Sequence, residues 1–318
     1  MAKIKAPLFS LDAAGTLDKN ITYKKKLQDN IAQKYSQPGS KNPFESSPRQ
    51  KDQRSIIRLI TIHWQCMPNL EKLDWDNAAK TARFKGTGYH YFLHMAQQDL
   101  TKYLGLVGYW SMNYNVGDKI PDLSGNGNHG ILSPIYPCDC PTLVDSFDKK
   151  HGKALCSNGA SNYLNILQSS SLTLNDTDGL TYIMWFKTLS DLPSINYSNV
   201  WLSHYIYNTK GVYLQAHLGK PRFILNGSDS VFEILGTHSM QKNTFYHLSF
   251  TQQNGYSSIF FNGLIDTNKP TIQMGTTSNV PLRLARNSSY MDCIIDDFTV
   301  FNRPLTHEEI YKIFTLTF

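Results

Sequence analysis

From Leu104 onward, apolar residues fall in short alternating runs broken by Gly, Asn, Ser and Pro, the pattern of an antiparallel sandwich whose strands bury one face. Expected strands are Leu106 to Met112, Ala154 to Cys156, Tyr163 to Ile166, Thr181 to Lys187, Val200 to His204, Val212 to His217, Arg222 to Leu225, Phe245 to Gln252, Ser257 to Phe261, Leu282 to Arg286 and Cys293 to Asn302. Asn262-Gly263, between Ile259-Phe260-Phe261 and Leu264-Ile265, predicts a hairpin whose two turn residues both take positive φ. Helical spacing returns only at Thr306-His307-Glu308-Glu309-Ile310, where Thr306 caps and Glu309 closes a box.

Before Leu104 the period is different. Residues 1 to 37 alternate around Ile21, Tyr23, Ile31 and Tyr35, which predicts two or three exposed basic strands, and Gln37 to Pro43 has linker composition. Ser47-Pro48-Arg49-Gln50 then starts a helix with an N-cap, a proline at the first position and a Gln to complete the box. Its apolar stripe is Ile56, Ile57, Ile60 and Trp64, and Pro68 ends it. A second helix carries Leu70, Leu73, Trp75, Ala78 and Phe84, and a third, after Gly86-Thr87-Gly88, carries Tyr89, Phe92, Leu93, Ala96 and Leu100. The expectation is a small three-helix bundle with an aromatic core.

A length of 318 residues exceeds the usual single domain, and two are expected: residues 1–103, a basic hairpin plus helices, and residues 104–318, the sandwich. Residues 1–103 hold 17 Lys and Arg against 9 Asp and Glu, a net of +8, while the rest of the chain holds 14 against 16, a net of −2. The basic balance therefore belongs to the N-terminal part. Since no helix there carries a dense Arg stripe, nucleic acid is not the expected partner; an acidic protein surface is. Asp12 cuts the first apolar run short of an export signal, and no stretch of about 18 apolar residues predicts membrane insertion. Five cysteines lack the spacing of a disulfide framework; Cys138, Cys140 and Cys156 have a short spacer for zinc and no fourth ligand, so reduced thiols are expected.

Two resemblances sharpen this. Gly105-Leu106-Val107-Gly108-Tyr109-Trp110 followed by Asp122-Leu123-Ser124-Gly125-Asn126-Gly127-Asn128-His129-Gly130 resembles the start of a laminin-G-like domain of the concanavalin A jelly-roll superfamily, and Ile295 to Leu305 resembles its end. Thr181 to Lys187 matches a central strand, and Phe245-Tyr246-His247 stands where relatives usually have Trp-His-His. The likeness covers about residues 105 to 314 and implies a mainly β protein, an antiparallel concanavalin A-like β-sandwich with a small N-terminal α+β module. Residues 5 to 100, in the order basic hairpin, Pro-rich link, Ser-Pro-Arg-Gln helix with Trp64, Trp75-Asp76-Asn77-Ala78-Ala79 and Gly86-Thr87-Gly88-Tyr89, resemble a module of structural proteins of tailed phages and related prophages. Pro68 and Leu70 depart from that pattern, replacing a small polar cap and an acidic residue.

The first resemblance implies candidate sites. Calcium in such domains is often held by the opening loop and an Asp on the last long strand, which carries over to Asp122, Asn126 and Asp296. The alternative for Asp122 and Asn126 is support of a tight turn through side-chain to backbone bonds. Sugar contacts would come from aromatics in or beside loops: Trp201, Tyr205, Tyr207, Tyr256 and Tyr290. Glucanase relatives need alternating carboxylates on one strand, and no Glu-x-Asp-x-Glu run occurs, so no catalysis is expected. Together the resemblances imply a virion structural protein, made in a host cytoplasm, anchored through residues 1–103 to a capsid or other particle protein, and displaying the sandwich at the virion surface as an oligomer that meets a host glycan. The other reading is a carbohydrate-binding module of a cellular polysaccharide-binding system.

Overall fold

The computed structural model describes residues 15–17, 21–26, 29–34 and 47–316, apart from 135–140, 149–150, 175–177, 193–199, 205–210, 227–230, 272–276, 278–279 and 287–289. The chain divides into two compact units, Met1–Ser47 and Pro48–Phe318. In the first, β1 (Gly15–Leu17), β2 (Ile21–Lys26) and β3 (Asp29–Lys34) form an antiparallel three-stranded sheet in that order, with Tyr23 opposite both Gly15 and Ala32.

The second unit begins with α1 (Pro48–Cys66), α2 (Asn69–Thr81), α3 (Gly88–Gln98) and α4 (Leu100–Leu104). Strands follow: β4 (Leu106–Trp110), β5 (Lys119–Ile120), β6 (Gly130–Ser133), β7 (Thr142–Asp145), β8 (Lys153–Asn158), β9 (Tyr163–Ile166), β10 (Leu180–Thr188), β11 (Val200–His204) and β12 (Gly211–His217). Then come β13 (Lys220–Asn226), β14 (Val231–Leu235), β15 (Tyr246–Gln253), β16 (Tyr256–Phe261), β17 (Leu264–Pro270), β18 (Leu282–Leu284), β19 (Asp292–Phe301) and α5 (His307–Leu316). The first sheet runs β17-β16-β15-β10-β19-β8-β7, with β4 also paired to β19; the second runs β14-β13-β12-β11-β18-β9-β6-β5.

The strand alternation sets the layers. Tyr182, Met184 and Phe186 of β10 face Trp201, Leu214, Phe223 and Leu284 of the second sheet and form the sandwich core. Ile183, one residue out of phase, faces the other way with Tyr109, Phe260 and Phe301, and these pack against Ile60, Ile62, Phe92 and Ile310 of the helices. The helices are thus a third layer on the first sheet instead of a free bundle. The expected boundary at 103/104 falls within the last turn of α4, inside the second unit.

Polar contacts lock that layer. Arg303 donates from Nε to the Leu104 carbonyl at 2.6 Å and from its guanidinium to Glu309 at 2.7 Å, while His63 of α1 lies 3.0 Å from the same carboxylate. Burial disfavours the Glu309 carboxylate, but hydrogen bonds from His63 and Arg303 outweigh it and hold its pKa below the ordinary range. The expected box forms, with Thr306 N–H donating to Glu309 and Glu309 N–H to Thr306 Oγ1. Asn262 and Gly263 have φ of 50° and 77°, the type I′ hairpin the sequence predicts. Among the described residues no helix is long and apolar enough to cross a membrane, and Cys66, Cys156 and Cys293 are free thiols. Cys138 and Cys140 lie outside the described residues.

Candidate functional site

The outer face of the second sheet is built by period-two alternation. On β9, Leu164 and Ile166 enter the core, so Tyr163 and Asn165 face out; on β18, Leu282 and Leu284 enter, so Arg283 faces out; on β12, Val212, Leu214 and Ala216 enter, so Tyr213 and Gln215 face out. Register joins them into one row: Asn165 opposite Arg283, Arg283 opposite Ser203, Ser203 opposite Tyr213, then Ile224 and Glu233. Directly opposed residues on neighbouring strands have Cβ atoms about 5 Å apart. Gln215 lies two residues along β12, opposite Arg222.

This face combines burial with unmet bonding capacity. Gln215 is 1% exposed, Asn165 and Arg283 are half-buried, and Gln215 Nε2, Asn165 Oδ1 and Arg283 Nε are buried atoms with no hydrogen-bond partner. At the β18 end Arg286, bridged to Tyr290, lies against two rings, 4.3 Å from the Tyr163 centroid and 5.1 Å from that of Tyr290. Arg222 is ion-paired to Glu233 at the β14 edge. The patch therefore offers amide and guanidinium groups bordered by tyrosines.

The sequence candidates fare unevenly. Tyr290 belongs to the patch. Trp201 is fully buried, its ring 4.4 Å from that of Phe186 in the core; the bulge between Val200 and Leu202 turns it inward, so no ligand reaches it. Tyr256 is 55% exposed but opens β16 in the first sheet, away from Tyr290. Tyr205 and Tyr207 lie outside the described residues. Tyr163, Asn165, Gln215, Arg283 and Arg286 escaped notice because polar outward residues are the default on a strand; the available signal was Leu282-Arg283-Leu284, a charge between two core positions.

The calcium candidates do not converge. Asp122 is buried and its two carboxylate oxygens accept from the N–H groups of Tyr109, Ser124 and Asn128 and from Ser124 Oγ, at 2.8–3.0 Å. Asn126 Nδ2 donates to Thr101 Oγ1 and the Val107 carbonyl. Four donors engage the Asp122 carboxylate, which is the turn-bracing geometry, with Gly125 and Gly127 at positive φ. Asp296 is fully buried on β19, accepting from Ser146 Oγ and the Asp297 N–H. An extra residue at Asp297, φ 45°, bulges the strand against β10. Burial, then the charge of Asp297, pushes the Asp296 pKa well above the ordinary carboxylate range. Among the described residues no three His, Cys, Asp or Glu gather as metal ligands. These residues do not fit a calcium site.

A cavity of about 30 Å³ between α1, α5 and the first sheet is edged by Arg58, Tyr109, His247 and Asp297. It has room for water, not for a sugar ring.

A two-sheet sandwich with these inward and outward faces defines a concanavalin A-like fold. Residues 158–311 match the laminin-G family model described as the Concanavalin A-like lectin/glucanases superfamily. No curated protein matches the sequence. Similar solved structures include the binding domain of Paraclostridial Mosquitocidal Protein 1, 17% identical with a TM-score of 0.53 over 66% of this chain and 51% of that one. The botulinum neurotoxin serotype D ligand binding domain, in complex with N-acetylneuraminic acid, is 12% identical with a TM-score of 0.54 over 66% and 50%. Domain 4 of AbnA, an extracellular arabinanase from Geobacillus stearothermophilus in complex with arabinotriose, is 16% identical with a TM-score of 0.51 over 65% and 97%. The match thus spans about half of each toxin chain, and at these identities it shows the fold.

Proposed function

We propose that this chain is a non-enzymatic binding protein of a virus particle, whose sandwich takes a saccharide on the outer face of the second sheet. The observation that carries the saccharide half is the cluster of Tyr163, Tyr290 and Arg286, two partly exposed rings around a guanidinium at the β18 end of the second sheet. Two proteins of similar fold were solved with sugars, N-acetylneuraminic acid and arabinotriose, in line with this reading. Binding proceeds without calcium, since Asp122, Asn126 and Asp296 are engaged elsewhere. No hydrolysis is part of this reading: Glu233 is ion-paired at the sheet edge and Asp296 is fully buried.

The particle half rests on the resemblance of residues 5 to 100 to phage structural modules and on their basic balance. Residues 1–103 would attach to a capsid or other virion protein, and several copies would raise the avidity of weak sugar contacts. The reading as a module of a cellular polysaccharide-binding system is favoured by one observation, the 97% coverage of the arabinanase domain. Mass spectrometry of purified particles from the source culture decides: the polypeptide should be a stoichiometric component, and its absence refutes the virion assignment. Titration of the full chain with a panel of oligosaccharides, with and without chelator, tests the saccharide assignment separately.

A further inference from the structure

We infer that the turn between α2 and α3 is the contact through which the helical layer docks on an acidic protein surface of the particle. The inference rests on the particle half of the reading above and adds the docking surface and the charge of the partner. Lys80, Arg83 and Lys85 are exposed at this turn, around a half-buried Phe84. Among the described residues none of these cations has an ion pair or a side-chain hydrogen bond. The sequence holds no Asp or Glu from Asn77 to Gln98. Asp76, one turn ahead of Lys80, accepts from the Gly88 N–H at 2.6 Å.

The backbone here is fixed, and fixed at a cost. Phe84 N–H donates to the Ala79 carbonyl at 2.9 Å and Arg83 N–H to the Lys80 carbonyl at 3.0 Å, a Schellman-type cap with Arg83 at the left-handed position, φ 52°. Glycine is the usual occupant, because a Cβ there crowds the following carbonyl. The negative end of the helix favours a nearby cation, which Lys80 in the last turn already supplies; it does not call for arginine where glycine fits best. A strained residue whose side chain meets nothing in its own chain points to a use outside it. Phe84 supplies the apolar centre: its ring lies 5.1 Å from that of Tyr91 and 5.6 Å from that of His94, and a Cβ on Gly86 would stand 3.1 Å from it, so the turn closes tightly on the ring. An aromatic anchor rimmed by cations on a preformed turn loses little freedom on docking, and an acidic partner supplies the opposite charge at the rim. A nucleic acid backbone would call for a longer stripe of cations than one turn provides.

The test is zero-length carbodiimide coupling on particles purified from the source culture, which joins lysine amines to carboxylates in contact, read out by peptide mass spectrometry. Lys80 and Lys85 should be joined to Asp or Glu of another particle protein. If the polypeptide is in the particle but both lysines stay uncoupled, or couple only within their own chain, the docking inference falls and the particle reading stands. If the polypeptide is absent from the particle, both fall together. A second measurement uses the recombinant full chain in urea. Arg83→Gly should raise the folding equilibrium constant about threefold, since strain is removed and no internal contact is lost; a decrease would show that Arg83 serves its own fold and would overturn the argument. If the full chain shifts duplex DNA at low salt and Arg83→Gly abolishes the shift, the partner is nucleic acid and the acidic-protein assignment is overturned. The coupling experiment needs no variant, so it holds whatever Arg83→Gly does to folding.

Discussion

Asp296→Asn should make this protein more stable at neutral pH, although it alters a fully buried polar residue. Asp296 accepts from Ser146 Oγ and from the Asp297 N–H, so the carboxylate is hydrogen-bonded, yet burial and the neighbouring Asp297 charge raise its pKa well above the ordinary value. The sign follows from linkage. The folded state holds this proton more tightly than the unfolded chain, so the penalty is absent below the unfolded pKa, about 3.9, and grows as pH rises toward the raised folded value. Asparagine is nearly isosteric and never charges. Its Oδ1 keeps the bond from the Asp297 N–H, and the Ser146 hydroxyl can turn to accept from Nδ2. Loss of the Asp296 charge also relieves Asp297, whose Oδ1 accepts from the Tyr109 hydroxyl at 2.8 Å. Higher stability of the variant is expected at pH 8, with the gap closing as pH falls toward the unfolded pKa. Urea unfolding of both proteins across that range measures it. If Asp296→Asn were less stable by the same amount at every pH, the carboxylate would be a net stabiliser and the reasoning would fail; loss of a chelator-sensitive melting shift on mutation would restore Asp296 as a metal ligand.

Other outcomes test the remaining geometry. Glu309→Ala leaves Arg303, His63 and the Thr306 N–H without their shared acceptor, and should cost about 2–4 kcal/mol in urea unfolding. Because the folded Glu309 pKa is depressed, its contribution is complete above the unfolded value of about 4.3 and fades as pH falls toward the folded one, so the gap between wild type and variant should narrow in acid. Asp122→Ala should lower the melting temperature whether or not calcium is added, since four donors lose their acceptor. Gly263→Ala should destabilise by about 1–2 kcal/mol, because φ is 77° and a Cβ would stand 2.7 Å from the Phe314 ring. Tyr256→Ala should leave saccharide affinity unchanged in the same calorimetric titration, as it lies on the other sheet.

Much of the fold was legible because local chemistry and tertiary packing agree. Asn262-Gly263, the Thr306–Glu309 box, the break at Pro68 and the long central strands all stand where the pattern puts them. What escaped were strands with too few residues to show a period, such as β5 and β6, and β14, whose alternation around Glu233 reads as an isolated charge. The placement of the helices was hidden for a different reason. The stripe Ile56, Ile60 and Trp64 announces a buried face but not the surface that buries it, and Ile183 and Phe260 are ordinary strand residues until register turns them toward α1. Site residues were harder still. An aromatic near a loop is visible in sequence, which found Tyr290 and also the core residue Trp201; a polar side chain becomes a candidate only when burial removes its solvent and no protein group replaces it, as at Gln215 and Arg283.

The central position of β19 has a consequence for synthesis. It is the second-to-last element in the chain, yet in the first sheet it lies between β10 on one side and β4 and β8, end to end, on the other. Residues 292–301 must therefore leave the ribosome before the middle of that sheet can close. Until then β10 and β8 each present an open edge, and the nascent chain depends on staying unassociated over nearly its whole length. A message truncated just before residue 292 would yield not a smaller sandwich but two unjoined half-sheets, prone to aggregation.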